Sequence, residues 1–557
     1  MYAAFEDKTD RTVIATSTIN LQKQLMEKDI PALFKVLGKE CKVALAVGRN
    51  NYLCLRRLYE EVRSNELYAY DGISDISKIN SFAANTETGL RTEFPGRLDS
   101  HIWSSVCSDG DFCLGSTCPF STECFFFKAK KKLSDASIII CNHHLLFVDS
   151  NTRYEQCIDY TDDAILPPFT HLVIDEAHNI ERHATDLFTS VYSSYSLKRQ
   201  MDYIYDNRGI KGLGTGRILD DLAPCCTEKG LYDSILDFYA LVKAKADTLN
   251  LATLNLLEYN KLAHLLITKE TMPRLLGEIG KSASELVDSG LRLVAKLNSF
   301  SEKLKIDETR QFKAEELSVH TSRISEIIDR LKVFIEYDKW TDDIHYLDLE
   351  RHAQNKYVTF NIAPLKVSDI LSDALFNKLE SVICTSATLD LHDDFLYWSS
   401  AIGLPITGRK FIKKVYESPF DYKKRLMLLT PYDTPTFNRD KEEEYASFIT
   451  ETAYQDISAS GGGALILFTS FKLMEYAYEQ LKPRLSVMGI SAFRQGDADR
   501  YALLESFKED EDSVLFATDS FWEGVDAPGN TLRLVVITKL PFRMPDDPLY
   551  KARYSKL

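Results

Sequence analysis

The chain has 557 residues, 45% of them hydrophobic and 27% charged, the balance of a water-soluble globular protein of roughly two to four domains. No apolar run approaches the roughly 18 residues that span a bilayer, and the opening MYAAFEDKTD lacks a secretory leader's basic start and apolar middle, so a cytoplasmic protein is expected. A net charge of −15 argues against a nucleic-acid partner for the molecule as a whole, which leaves local charge to decide, and eleven cysteines, most of them scattered singly, argue for reduced thiols over a disulfide framework.

In chain order, short apolar runs ending in polar loops read as buried parallel strands: TVIATS from Thr12, KVALAVGR from Lys42, SIIICN from Ser137 and HLVIDEA from His171. From Arg182 to Glu350 there is almost no strand signal, but helical periodicity is present, as in Leu286, Leu291, Leu293 and Leu297, so an inserted helical domain is expected. Its entry carries a loose glycine loop, Gly212, Gly214 and Gly216, which reads as a linker. Strands resume with SVICTSAT from Ser381, RLMLLTP from Arg425, GALILFTS from Gly463, SVLFATD from Ser513 and LRLVVITKL from Leu532, with helical stretches between several of them.

The chemistry concentrates at strand ends. HLVIDEAHN places Asp175, Glu176 and His178 beyond the carboxyl end of a strand, where open α/β sheets bind ligands. An Asp there suits the Mg²⁺ of a nucleotide and the adjacent Glu suits orienting and deprotonating an attacking water; the plain alternative is a pair of solvated loop carboxylates. Ser386 and Thr388 repeat the pattern after the next strand, although Ser and Thr at strand ends are ordinarily turn formers. A tempting phosphate loop, GEIGKS from Gly277, is rejected because Leu275 stands where the first glycine belongs and no strand precedes it.

Taken together, DEAH at Asp175–His178, SAT at Ser386–Thr388 and the long TDSFWEGVDAPG from Thr518 resemble motifs II, III and V of superfamily 2 helicases of the iron–sulfur DinG/XPD type. VIATSTINLQKQL from Val13 resembles motif Ia of that family, NHHLLF from Asn142 its signature ahead of motif II, and LFTSF from Leu467 its motif IV, so the resemblance spans nearly the whole chain. It implies two RecA-like parallel-sheet motor domains with an iron–sulfur insertion and a helical arch-like insertion, in an α/β fold. The expected boundaries are 1–48, 136–181 and 353–392 for motor domain 1, 49–135 for the iron–sulfur domain, 182–352 for the arch-like domain and 393–557 for an incomplete motor domain 2.

The implied activity is ATP-driven, Mg²⁺-dependent 5′-to-3′ DNA unwinding in repair or replication, on single-stranded DNA, forks and junctions. Cys54, Cys113, Cys118 and Cys124, the last three separated by four and five residues, suit either a zinc or an iron–sulfur site by their chemistry; the resemblance selects a 4Fe-4S cluster and leaves Cys107 aside. Lys128, Lys130, Lys131 and Lys132, next to three phenylalanines, read as a basic DNA patch with aromatics for base stacking, against the plainer reading of a solvated helix face. The resemblance further implies DNA-backbone contacts from Thr16, Thr18, Gln22, Thr469 and Ser470, and places Ser386, Thr388, Gly524 and Asp526 near the nucleotide; Trp522 reads as core.

Two family parts are expected to lie beyond the two ends of this sequence. MYAAFEDK reads as the end of the helix that follows a P-loop, and the arginine-bearing motif VI should follow KLPFRMPDDPLY, so the chain reads as a fragment expected to bind DNA without turning over ATP. The rival readings are a nonenzymatic single-stranded DNA-binding remnant and a nuclease, for which no further carboxylate cluster offers a two-metal site.

Overall fold

The computed structural model describes residues 11–68, 73–96, 98, 100–110, 112–205, 218–305, 308–340, 342–352, 355–392, 394–435, 442–498, 500–518, 521–523, 525–542 and 547–555. The chain divides into two compact units, one comprising Met1–Ser17, Leu37–Lys410 and Met544–Leu557, the other Thr18–Val36 and Phe411–Arg543. The expected glycine linker at Gly212, Gly214 and Gly216 and the MYAAFEDK helix end fall outside the described residues.

The strands in chain order are β1 (Thr12–Thr16), β2 (Val43–Leu45), β3 (Ile138–Asn142), β4 (His171–Ile174), β5 (Ser190–Ser193), β6 (His264–Ile267), β7 (Ile344–His352), β8 (Asn355–Ala363), β9 (Ser381–Cys384), β10 (Ala464–Leu467), β11 (Ala492–Arg494), β12 (Val514–Ala517) and β13 (Leu534–Ile537). Five helices matter below: α1 (Leu55–Tyr68), α2 (Phe125–Ser134), α3 (Leu231–Tyr259), α4 (Met272–Glu302) and α5 (Glu308–Ile335).

In the first unit β2, β3, β1, β4 and β9 form one sheet in that order. Every pairing in it is parallel. A parallel sheet is covered on both faces, so its strands can be apolar without alternation; Val13, Ala15 and Ile138 to Cys141 are essentially inaccessible. The register sets Ala15 beside Cys141 and Ile174, and Ile174 beside Cys384, which brings the residues after β1, β3, β4 and β9 to a single edge. The four early strands and SVICTSAT thus join one sheet.

The region read as nearly strandless needs correction. A four-stranded antiparallel sheet, β5-β8-β7-β6, lies within it and runs past residue 352. β7 and β8 pair from Ile344 opposite Ala363 to His352 opposite Asn355, so the boundary drawn at 352/353 falls inside a hairpin. Asp348, Glu350 and Arg351 obscured the strand: they lie toward the far end of the β7–β8 hairpin, where Glu350 and Arg351 are exposed, whereas Ile344 to Leu347 are buried on both faces. Beside that sheet stand α3, α4 and α5, the expected helical part, with Leu286, Leu293 and Leu297 fully buried and Leu291 partly so. GEIGKS lies within α4, in keeping with its rejection as a phosphate loop.

In the second unit β11, β12, β10 and β13 form a parallel sheet. RLMLLTP, expected as a strand, is not one: Leu426, Met427, Leu428 and Leu429 are 66–83% exposed and carry no strand pairing. An apolar run becomes a strand only where a sheet edge receives its N–H and C=O groups, and here none does. No helix among the described residues is long and apolar enough to cross a membrane.

Among the described glycines of the helical part, Gly290 on α4 is the most tightly enclosed: an added Cβ would come within 2.6 Å of the Ile328 Cδ1 on α5. Gly290→Ala is therefore expected to destabilise the protein by about 1–3 kcal/mol through overpacking, read as a lowered thermal midpoint, and Ile328→Val in the same chain should recover part of it.

Candidate active site and nucleic-acid interface

The carboxyl edge of the first parallel sheet carries the DEAH loop. Asp175 continues the ladder by donating its N–H to the Ala15 carbonyl at 2.8 Å. Its Oδ2 accepts from the Thr16 hydroxyl at 3.0 Å, leaving Oδ1 for another ligand. Glu176 then takes a left-handed conformation, φ 51° and ψ 44°, which costs a residue with a Cβ about 1–2 kcal/mol. Next, the Ala177 N–H donates to the Thr385 carbonyl at 3.0 Å, and the Trp398 indole N–H donates to the Ala177 carbonyl at 3.0 Å.

The two motifs read separately from the sequence meet here. The His178 Nδ1 lies 2.7 Å from the Ser386 hydroxyl and 3.4 Å from the Glu176 Oε2. Thr388 is exposed and its N–H reaches the Ser386 hydroxyl at 3.4 Å, a turn contact of the ordinary Ser type. Asp175, Glu176 and His178 are all half-buried, accessible to a ligand yet anchored from behind.

His143 is a participant that sequence reasoning passed over inside NHHLLF. It opens the helix His143–Gln156, which Asn142 caps by accepting from the Leu145 N–H at 2.8 Å. The fully buried ring places Nε2 2.7 Å from the Asp175 carbonyl. A carbonyl only accepts, so Nε2 carries the proton. Burial, reinforced by nearby His183, holds the imidazole down at about 4.

Thr16 is inaccessible and its hydroxyl is engaged by Asp175, so the DNA-backbone role expected of it is corrected to support of the carboxylate loop. In the second unit, Thr18 caps the helix Ile19–Gln24 by accepting from the Leu21 N–H at 3.3 Å. Gln22 is only 1% exposed, which withdraws its amide from an outer phosphate. Ser470 is exposed and caps the helix Phe471–Val487, accepting from the Leu473 N–H at 3.5 Å, and Thr469 beside it is half-buried. Asp526 pairs with Lys28 at 3.0 Å on the surface, and Gly524 lies outside the described residues.

A second unforeseen residue is Gln495, whose Oε1 accepts from both the N–H and the hydroxyl of Thr518, at 2.7 and 3.0 Å. It steadies the start of TDSFWEGVDAPG. The available signal was its place directly after β11, itself too short to be noticed. Trp522 packs partly buried against the Leu465 and Phe507 cluster, in agreement with a core role.

In the cysteine-bearing insertion, Cys54 directly precedes α1 and Cys124 directly precedes α2. The Arg56 guanidinium donates to the Phe112 carbonyl at 2.8 Å, and that of Arg57 to the Cys107 carbonyl at 2.7 Å, tying the later loop to α1. Cys54, Cys113, Cys118 and Cys124 are half-buried free thiols, and the Cys113 Sγ accepts from the Gly115 N–H at 3.4 Å. Burial pushes the Cys54 thiol up, with Arg56 and Arg57 pulling the other way. The donor chemistry suits thiolate ligation, although among the described residues no three His, Cys, Asp or Glu side chains stand close enough to hold one ion.

On α2, Lys128, Lys131 and Lys132 are exposed and Lys130 half-buried. The neighbouring aromatics serve packing more than base stacking: Phe125 is buried, and Phe126 lies under the Arg49 guanidinium at 4.1 Å and edge-on to Tyr52 at 5.8 Å.

Residues 454–557 match the family model described as a helicase C-terminal domain. The ATP-dependent DNA helicase YoaA of Haemophilus influenzae is 29% identical over 549 residues, covering 98% of this chain and 77% of that protein. The ATP-dependent helicase DinG of Mycobacterium tuberculosis is 28% identical over 566 residues, covering 97% and 76%. The chain is thus similar over nearly its whole length to DinG- and YoaA-type helicases. Another relative of the same name, the 3'-5' exonuclease DinG of Bacillus subtilis, is 25% identical over 586 residues, which span 99% of this chain and 59% of that protein.

Proposed function

We propose that this chain is an ATP-driven DNA helicase of the DinG type, with ATP and Mg²⁺ bound at the carboxyl edge of the first parallel sheet and unwinding in the 5′-to-3′ direction. The observation that carries the reading is the joining of the DEAH and SAT loops through His178 and Ser386, on a loop whose Asp175 is oriented by Thr16.

In this reading Asp175 would hold Mg²⁺, and Glu176 would orient and deprotonate the attacking water. His178 ties the state of that loop to Ser386. The bound metal supplies charge neutralisation to the phosphates. Single-stranded DNA, forks and junctions are the proposed substrates, gripped through the exposed lysines of α2 and through Thr469 and Ser470. Phosphate contacts of this kind position a strand without reading its sequence. Cys54, Cys113, Cys118 and Cys124 are the proposed ligands of a 4Fe-4S cluster, which would staple the insertion by closing the loop tied to α1.

Glu176→Gln in the full-length protein should lower DNA-stimulated ATP hydrolysis by about 10²- to 10⁴-fold, the usual worth of a general base, with DNA affinity retained. Wild-type turnover in that variant would remove Glu176 from the reaction, and no turnover in the wild type would remove the helicase reading.

Protein purified without oxygen should be brown and contain iron, and Cys118→Ser should lose it. Stoichiometric zinc in place of iron would contradict the cluster. Replacing Lys128, Lys130, Lys131 and Lys132 together by Gln should weaken single-stranded DNA binding and flatten its log–log salt slope by about 0.7 for each phosphate that the lysines no longer neutralise. An unchanged slope would place the grip elsewhere.

A further inference from the structure

The left-handed backbone of Glu176 points to a role for His143. Two peptide planes flank the Glu176 Cα, and their orientations set its φ and ψ. The preceding plane contains the Asp175 carbonyl, which accepts from the His143 Nε2 at 2.7 Å. The following plane contains the Ala177 N–H, which donates to the Thr385 carbonyl at 3.0 Å. Each plane is therefore held by a group from a different neighbouring element: the helix that follows β3 on one side and the segment that follows β9 on the other. A conformation disfavoured for a residue with a Cβ persists only where its surroundings over-determine it.

We infer that His143 is a positioning residue for ATP hydrolysis: its Nε2–H locks the Asp175–Glu176 peptide and so aims the Glu176 carboxylate. The ring is rigid enough to do this. It is 1% exposed, it opens a helix whose first turn is fixed by the Asn142 cap, and it packs edge-on against His183 at 5.3 Å between centroids. The only group of His143 that the loop requires is a donor at the position of Nε2. Glutamine reaches that position with its own N–H, whereas leucine fills the space without a donor. With leucine, the Asp175 carbonyl loses its partner, the peptide is free to rotate, and Glu176 relaxes out of the left-handed region while Asp175 stays in the β-ladder through its N–H to Ala15.

The inference rests on the helicase reading for its catalytic consequence and on the geometry for its structural one, so its test has two readouts on the full-length protein. In DNA-stimulated ATP hydrolysis, His143→Leu should lower kcat by roughly 10²-fold, the effect of a small misplacement of a catalytic group, with little change in the KM for ATP; His143→Gln should restore most of the turnover. In amide hydrogen exchange, the Ala177 N–H should exchange faster in His143→Leu than in His143→Gln or the wild type, with equal thermal midpoints showing that the fold is retained. Equal turnover in His143→Leu and the wild type overturns the inference, as does equal loss in both variants, which would mean that something other than the donor matters. If the wild type itself fails to hydrolyse ATP, the helicase reading fails, and the exchange rates alone decide: unchanged protection of Ala177 in His143→Leu then overturns the positioning role.

Discussion

Parallel pairing of β1, β4 and β9 in one register is the constraint on which the site depends. Parallel strands all point the same way, so the segments that leave them emerge at one edge, and whatever polar residues those segments begin with become neighbours. Thr16, Asp175 and Thr385 are such residues. None is near another in sequence, yet Thr16 bonds the Asp175 carboxylate and Thr385 accepts from the backbone two residues beyond it. A one-residue slip of β9 would remove the partner of Ala177 and move Ser386 away from His178.

The same constraint explains where the extra structure is attached. The cysteine-bearing segment leaves after β2 and returns at β3, and the helical part with its antiparallel sheet leaves after β4 and returns before β9. Insertions at the ends of parallel strands leave the buried ladder intact, because the hydrogen bonds of each strand are already satisfied by its neighbours. The long helices α3, α4 and α5 build their own apolar core, in which Gly290 permits close contact, and among the described residues none of theirs joins the core beneath the first sheet.

Much of this was legible in the residues, and the limits have physical causes. All five strands of the first sheet were visible as continuous apolar runs, and HLVIDEAHN announced its chemistry by standing at the end of one. The antiparallel sheet was hidden because β7 and β8 carry charges toward the exposed end of their hairpin and the other two strands are only four residues long. RLMLLTP misled in the opposite direction, since apolar character alone does not supply a partner edge. Among site residues, Asp175, Glu176, His178 and Ser386 lie together at one sheet edge. Thr16 and Gln22 were assigned outward roles that their burial contradicts, because a hydroxyl or amide in a motif does not reveal which way it faces. His143 and Gln495 act on backbone groups of loops far away in sequence, and a contact of that kind leaves no local pattern to read.

The site is proposed to belong to a motor that separates DNA strands. The most direct measurement is ATP-dependent unwinding by the full-length protein of two otherwise identical duplexes, one with a 5′ single-stranded tail and one with a 3′ tail. The 5′-tailed duplex should be opened and the 3′-tailed duplex should not, and the separation should require both ATP and Mg²⁺. Strand separation without nucleotide, or hydrolysis of ATP with neither duplex opened, would contradict the proposal.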